Sequence, residues 1–281
     1  MNLIKRIYKL KSNKVEKSIK LFGITDMHFT KFTKNNKLNS LLDLINNAKC
    51  DYVVFGGDLI DNTKRINDIS LKRLYDFFIN VCKKNKVIFI KGNHDTKDSE
   101  NEYYDLNPFF NELSKLDNFY YLDGVKNNKI KFDNVTFYGF EFDNEFYYDY
   151  MEENEELIIE RANKILKSID VNEFNILLFH SPILLLRENV RKEIENINKI
   201  DLILCGHMHN GLVPDYFDKG SSHKGILSPR RKLFPSFARN MLSFNGTHAI
   251  FMYPLSYLYK VEKYGLEFIF RPGYQIITIS K

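Results

Sequence analysis

Short apolar runs recur along the chain, separated by longer stretches in which apolar residues return every three or four positions. The runs Lys20–Ile24, Tyr52–Phe55, Val87–Ile90, Val135–Phe140, Ile176–Phe179 and Leu202–Leu204 are too brief for helices and predict buried strands. Helical spacing predicts helices at about 38–48, 66–84, 154–169 and 186–199. Strand and helix in alternation imply a layered α/β fold with right-handed crossovers. Between Phe119 and Glu141 several strand signals follow one another without a helix, so part of the sheet is expected to be antiparallel. Beyond residue 211 the pattern turns irregular, with Pro214, Pro229, Pro235 and Pro254, before two late strands near 267–270 and 275–279. Neither a low-complexity linker nor an internal repeat interrupts the pattern. One domain over residues 21–281, preceded by an arm at 1–20, is the expectation.

Charge changes this picture at the arm. The chain's net charge is +5, and its first twenty residues alone carry +6, with Lys5, Arg6, Lys9, Lys11, Lys14, Lys17 and Lys20 facing only Glu16. The rest of the chain is near neutral, which argues against a long basic groove for duplex nucleic acid. Leu3, Ile4, Ile7, Tyr8 and Leu10 fall near one face of a helix drawn through the arm, with basic residues around it. Such a helix suits peripheral contact with an anionic membrane, and a solvated or merely packed arm is the alternative. The start has no continuous apolar core of the kind a secretory signal carries, and no run of about 18 apolar residues suggests a membrane span. Cys50, Cys82 and Cys205 are odd in number and widely spaced, so reduced thiols in a cytoplasmic protein are expected.

The candidate chemistry lies just after the apolar runs. Asp26 and His28 follow the first, and Asp58 and Asp61 the second. Asn93, His94 and Asp95 follow the third; His180 follows the fifth, and His207 and His209 the sixth. In open α/β sheets ligands collect outside the carboxyl ends of the strands. Five such ends would bring carboxylates, an amide and imidazoles into one crevice, where like charges repel and desolvation is costly. Metal cations resolve that conflict. Mixed carboxylate and imidazole ligation suits Mn, Fe, Zn or Ni better than Ca. Glycines before Asp58, Asn93 and His207 let the backbone turn closely around the ions.

The ordered series DMH, GGDLID, GNHD, the histidine of FHSP, and GHMH resembles the calcineurin-like metallophosphoesterase superfamily, over residues 26 to 209. The resemblance implies a four-layer α-β-β-α sandwich, with two mixed sheets flanked by helices, around a dinuclear centre of two divalent transition-metal ions. Carried over residue by residue, Asp26, His28 and His209 would hold one metal. Asn93, His180 and His207 would hold the other, and Asp58 would bridge them. The reaction implied is hydrolysis of a phosphoester substrate by a metal-bridging hydroxide. His94 would face the leaving group as general acid, oriented by a hydrogen bond that it donates to Asp61. Asp95 is left with the capping of its own turn.

Departures narrow the resemblance. Protein phosphatases place Arg-Gly after GDxxD, where this chain has Asn62-Thr63. Many single-domain bacterial relatives read GHTHGGQ where this chain reads GHMHNGL, yet the tail FRPGYQIITIS resembles theirs. That branch includes hydrolases of a nucleotide-linked lipid precursor. Two alternatives stand beside the hydrolase: a scaffold that keeps the metals without turnover, and a nuclease of the same superfamily. Ser181 reads as helix entry before Pro182, and Cys205 as packing. The acidic stretch from Glu141 to Glu156 reads as a solvated loop leading into a helix. Arg230, Arg231 and Lys232 read either as an exposed turn or as an anion contact.

Overall fold

The computed structural model describes residues 3–61, 65–96, 105–141, 155–186, 188–217, 222–228, 233–256 and 269–281. The expectations for Asn62-Thr63, for the interior of the acidic stretch and for Arg230–Lys232 lie outside them. Two mixed six-stranded sheets pack face to face. The first contains β1 (Ile4–Lys11), β2 (Ile19–Ile24), β3 (Tyr52–Phe55), β4 (Lys86–Phe89), β5 (Phe119–Tyr121) and β12 (Gly273–Ser280), in the order β1-β12-β2-β3-β4-β5. The second contains β6 (Lys129–Phe132), β7 (Val135–Phe140), β8 (Phe174–Phe179), β9 (Leu202–Cys205), β10 (Asn240–Phe244) and β11 (Thr247–Phe251), in the order β10-β11-β9-β8-β7-β6.

Alternation along the strands builds three apolar layers. In β3, Tyr52 and Val54 face the second sheet, while Val53 and Phe55 face the helices outside the first. In β4, Ile88 packs between the sheets, and Val87 and Phe89 pack outward. The outer layer of the first sheet is covered by α1 (Asn35–Ala48), α2 (Asp68–Cys82) and α3 (Asn107–Leu113). That of the second is covered by α4 (Glu155–Leu166), α5 (Ile183–Leu186) and α6 (Glu188–Glu193). The result is the four-layer α-β-β-α sandwich. A strand buried on both faces must be apolar at nearly every position, which is why β3 and β8 read as uninterrupted runs.

Local signals set the helix ends. Asn67 accepts from the Ser70 amide while the Ser70 hydroxyl accepts from the Asn67 amide, a reciprocal cap that starts α2. Helix α1 buries Leu38, Leu41 and Ile45 and stops at Lys49, whose φ of 49° is left-handed. The single helix expected at 186–199 is replaced by α5, α6 and a 3-10 turn at Ile197–Lys199. Asn196, at φ 63°, cannot continue a right-handed helix.

The arm is corrected more sharply. Residues 4–11 form an eight-residue strand paired in parallel with β12, from Ile4 opposite Gly273 to Lys11 opposite Ser280. A period of two therefore replaces the helical face: Lys5, Ile7, Lys9 and Lys11 point outward, whereas Leu10 is buried. Backbone pairing with β12 outweighs the weak helical preference of a short charged segment. Of the two late strands, the second falls within β12; of the first, residues 269–270 form a turn and the rest lies outside the described residues. The hairpin of β10 and β11 went unread, although its Asn245-Gly246 turn (φ 47° and 86°) is a recognised hairpin signal. No helix among the described residues is long and apolar enough to cross a membrane.

Candidate metal centre

Five strands end at one side of the sandwich, and each delivers polar side chains there. Strand β2 leads to Asp26 and His28, β3 to Asp58, β4 to Asn93 and His94, β8 to His180, and β9 to His207 and His209. The ligand atoms of Asp26, His28 and His209 lie within 4.8 Å of one another, as do those of Asp58, His180 and His207. The two groups touch. Asp58 Oδ2 is 3.9 Å from His28 Nε2 and 3.2 Å from His180 Nε2, so it lies between them. Asp26 Oδ1 is 3.5 Å from His209 Nε2 and 3.9 Å from His180 Nε2.

The donor set fits two cations. Asp26 Oδ1, both ring nitrogens of His28 and Asn93 Oδ1 are buried without hydrogen-bond partners among the described residues. Polar atoms so placed cost stability unless something coordinates them. Burial raises the Asp26 carboxyl and lowers the His28 and His209 imidazoles, leaving both rings neutral and ready to donate. Burial would raise Asp58 as well, but the His180 and His94 imidazoles hold it well below the usual carboxylate range. Asp58 thus stays ionised at the shared position. His180 Nδ1 donates to the Gly56 carbonyl at 2.7 Å, which aims Nε2 at Asp58. Holding the second ring nitrogen in this way is how a metal-ligating histidine is oriented.

The backbone is strained where the ligands are. Asp26, His28, Asp58, His207 and His209 all have φ between 45° and 66°. Side-chain-bearing residues pay roughly 1–3 kcal/mol each for that region, and such strain clusters at functional sites. Two glycines make the crowding possible. A Cβ on Gly92 would lie 2.2 Å from Asp58 Oδ1, and one on Gly57 (φ 94°) would lie 2.6 Å from His180 Nδ1.

His94 stands at the mouth, half-exposed, with Nε2 4.0 Å from Asp58 Oδ2. Its amide donates to Asp58 Oδ1 at 2.8 Å, which ties it to the bridging position. Its Nδ1 donates to the main-chain carbonyl of Asp61. The orienting contact expected from the Asp61 side chain is therefore supplied by the backbone. The Asp61 carboxylate is engaged elsewhere, 2.6 Å from Arg65 Nη1 and 3.6 Å from His28 Nδ1. Burial lowers His94, but Asp58 and the Asp61 carbonyl outweigh it and raise its pKa above the ordinary value.

Asp95 does more than cap its own turn. Its carboxylate accepts from Gly92 N at 3.0 Å, Leu59 N at 3.0 Å and Ile60 N at 2.9 Å. It thereby fastens the loop carrying Asn93 to the loop carrying Asp58. Nothing in the spacing of GNHD signals a reach of some thirty-five residues. Arg65 was likewise missed, as were the contacts from beyond β11, where Leu255 N and Ser256 N donate to the carbonyls of Thr25 and Asp26. Cys205 is buried, in keeping with a packing role, and Ser181 lies two residues before α5, at the helix entry expected for it.

Comparison with known proteins bears on the family to which the chain belongs. An uncharacterized metallophosphoesterase of Helicobacter pylori (strain J99) is 24% identical over 204 residues, 72% of this chain and 47% of that protein. One from Campylobacter jejuni is 26% identical over 199 residues, 71% of this chain and 46% of that protein. The chain thus spans about half the length of these curated relatives. Among solved structures, a dimetal phosphatase from Danio rerio aligns at 10% identity and a TM-score of 0.45, covering 85% of this chain and 88% of that one. The sequence pattern of the calcineurin-like phosphoesterases matches residues 19–211, a range that includes every candidate ligand described above. With that match over more than half of its length, the chain belongs to the calcineurin-like phosphoesterase family.

Proposed function

We propose that the protein is a dinuclear metal-dependent hydrolase of phosphoester bonds, of the phosphodiester or pyrophosphate type. The observation that carries this reading is the position of Asp58 between two complete ligand groups, with His94 beside it. Asp26, His28 and His209 would hold one ion, Asn93, His180 and His207 the other, and Asp58 both. The donor chemistry favours Mn, Fe, Zn or Ni. When bound, such a pair lowers the pKa of coordinated water and offsets charge on phosphoryl oxygens.

The chain's own residues supply the rest. Nδ1 of His94 is committed to the Asp61 carbonyl, so Nε2 is the atom that presents a proton to a leaving oxygen. The raised pKa favours the protonated imidazole that a general acid requires. Loss of turnover in an otherwise intact scaffold would be expected to begin with loss of a ligand or of this histidine, and the chain retains them all.

The test is a panel of phosphomonoesters, phosphodiesters and nucleotide-linked pyrophosphates, offered to protein loaded in turn with each metal. Asp58→Asn should lower both metal stoichiometry and turnover by orders of magnitude. Full activity in Asp58→Asn, or after exhaustive chelation, would overturn the reading.

We propose in addition a peripheral contact with anionic lipid at the cytoplasmic face, through the outer side of β1. Lys5, Lys9 and Lys11 are exposed there around Ile7, which is 56% exposed. Each lysine near such a surface contributes about 1 kcal/mol. Vesicle sedimentation decides it: reversing the three lysines to Glu should abolish binding to anionic liposomes.

A further inference from the structure

From β4 the chain reaches the metal centre through Ile90 and Lys91, the latter two residues before Asn93. Glu141 meets it there. Its Oε1 accepts from the Lys91 amide at 2.8 Å, and its Oε2 accepts from the Tyr121 hydroxyl at 3.0 Å. Glu141 directly follows β7 in the second sheet, whereas Lys91 follows β4 and Tyr121 ends β5 in the first. One carboxylate therefore joins the two sheets at their ligand-bearing end. The sheets come close just before it, since a Cβ on Gly139 would lie 2.2 Å from Leu122 Cβ. The acid at the head of a stretch that reads as a solvated loop is thus engaged through both oxygens.

Two candidate ligands of one ion flank this contact. Phe140 pairs with Phe179 across the β7–β8 ladder, so Glu141 lies beside His180 at the neighbouring strand end. On its other side it holds Lys91 N, and the next amide, Gly92 N, is held by Asp95. Successive amides ahead of Asn93 are fixed by two carboxylates: Asp95 ties the loop to that of Asp58, and Glu141 ties it to the second sheet. The Lys91 side chain is held as well, its ammonium 4.7 Å from the Phe110 centroid and 5.3 Å from that of Tyr121.

We infer that Glu141 is a positioning residue for the ion assigned to Asn93, His180 and His207, a role that rests on the dinuclear reading above. It touches neither ion nor substrate. It sets the span between Asn93, delivered by the first sheet, and His180, delivered by the second. An ion that takes both donors needs that span held before it arrives. The other ion, on Asp26, His28 and His209, draws its own ligands from the ends of β2 and β9, which the Glu141 carboxylate does not bond among the described residues.

Calorimetric titration of the metal-free full chain with Mn²⁺ and with Zn²⁺ tests this, beginning with two ions in the parent. Glu141→Leu removes both acceptors at similar size and should weaken one ion about 10–100-fold while the other keeps its parent affinity. The weakened ion should be the one that Asn93→Ala weakens, so the double variant should lose no more than Asn93→Ala alone. Glu141→Gln, whose amide oxygen still accepts from Lys91 N, should hold both ions within about threefold of the parent. In the metal-free protein the Lys91 amide should exchange its hydrogen about tenfold faster or more in Glu141→Leu, and at the parent rate in Glu141→Gln. Thr247→Val is the structural control. It removes a buried bond to Ile200 O of 2.7 Å at the amino end of β11, so the urea midpoint should fall with both ions retained. Should Glu141→Leu not fold, Tyr121→Phe decides, since it frees one oxygen of the carboxylate and should weaken the same ion about threefold. Parent affinity for both ions in the variant that decides would overturn the positioning role alone, as would equal weakening of the two ions. A parent that takes up fewer than two ions would overturn the dinuclear reading and this role together.

Discussion

The His94 imidazole is held by the main-chain carbonyl of Asp61, while the Asp61 carboxylate grips Arg65 at 2.6 Å. A side-chain substitution at 61 therefore removes an ion pair and leaves the imidazole anchored.

The two residues should separate in kinetics. His94→Ala should slow alkyl phosphoesters by about 10²–10⁴-fold and nitrophenyl esters far less, because a poor leaving group needs the proton most. Asp61→Asn should show no such selectivity. Rates on matched alkyl and nitrophenyl substrates, with metal content measured alongside, check both; equal loss on the two esters in His94→Ala would mean that it only positions the phosphate.

Replacing Asp95 should loosen the whole centre. Asp95→Ala leaves the amides of Gly92, Leu59 and Ile60 without their acceptor in a buried loop. At about 1–3 kcal/mol for each unsatisfied group, a loss of at least about 3 kcal/mol is expected. Urea unfolding reads the stability, and metal analysis should show sub-stoichiometric binding in the surviving fold.

Gly92→Ala tests the close approach. The added methyl would lie 2.2 Å from Asp58 Oδ1, so Asp58 must move. Metal content and turnover should collapse while circular dichroism stays native. Gly246→Ala serves as a control, since nothing lies within 4 Å of its Cβ and its strain is confined to a hairpin turn.

Glu141, which is not itself a candidate ligand, offers a pH test. Burial pushes its carboxyl up to about 7, despite bonds accepted from Lys91 N and the Tyr121 hydroxyl. Its folded pKa lies above its unfolded value of 4.5, so its contribution is fully present below about pH 4.5. That contribution, at most about 3 kcal/mol, is lost as pH rises through about 7. Glu141→Gln should remove this slope. Urea midpoints at pH 5 and pH 8 should differ less in the variant than in the parent.

Removing residues 1–11 should destabilise the domain. The truncation deletes β1, strips the edge of β12 and uncovers part of the inter-sheet layer around Leu10. A lower thermal midpoint is expected; an unchanged one would mean that the strand contributes little.

Some of this was legible in the residues alone. Val53 and Val54, or Ile88 and Phe89, announce strands buried on both faces because only a covered sheet hides consecutive apolar side chains. The candidate ligand positions could be picked out with them, since a strand's end is a local event: His180 stands directly beyond β8, and Asp58 two glycines beyond β3. Even the capping of α2 by Asn67 and Ser70 is written within four residues.

What tertiary structure alone decided depended on partners distant in the chain. Residues 4–11 carry a pattern that fits either period, and β12, some 270 residues away, settles it as a strand. Asp95 finds Leu59 and Ile60, and the Asp61 backbone displaces its own side chain as the anchor of His94, through loops that meet only when β3 and β4 pair. Sequence periodicity reports which face of an element is covered; which residue meets which across a turn or a layer is set by packing, and no local spacing encodes it.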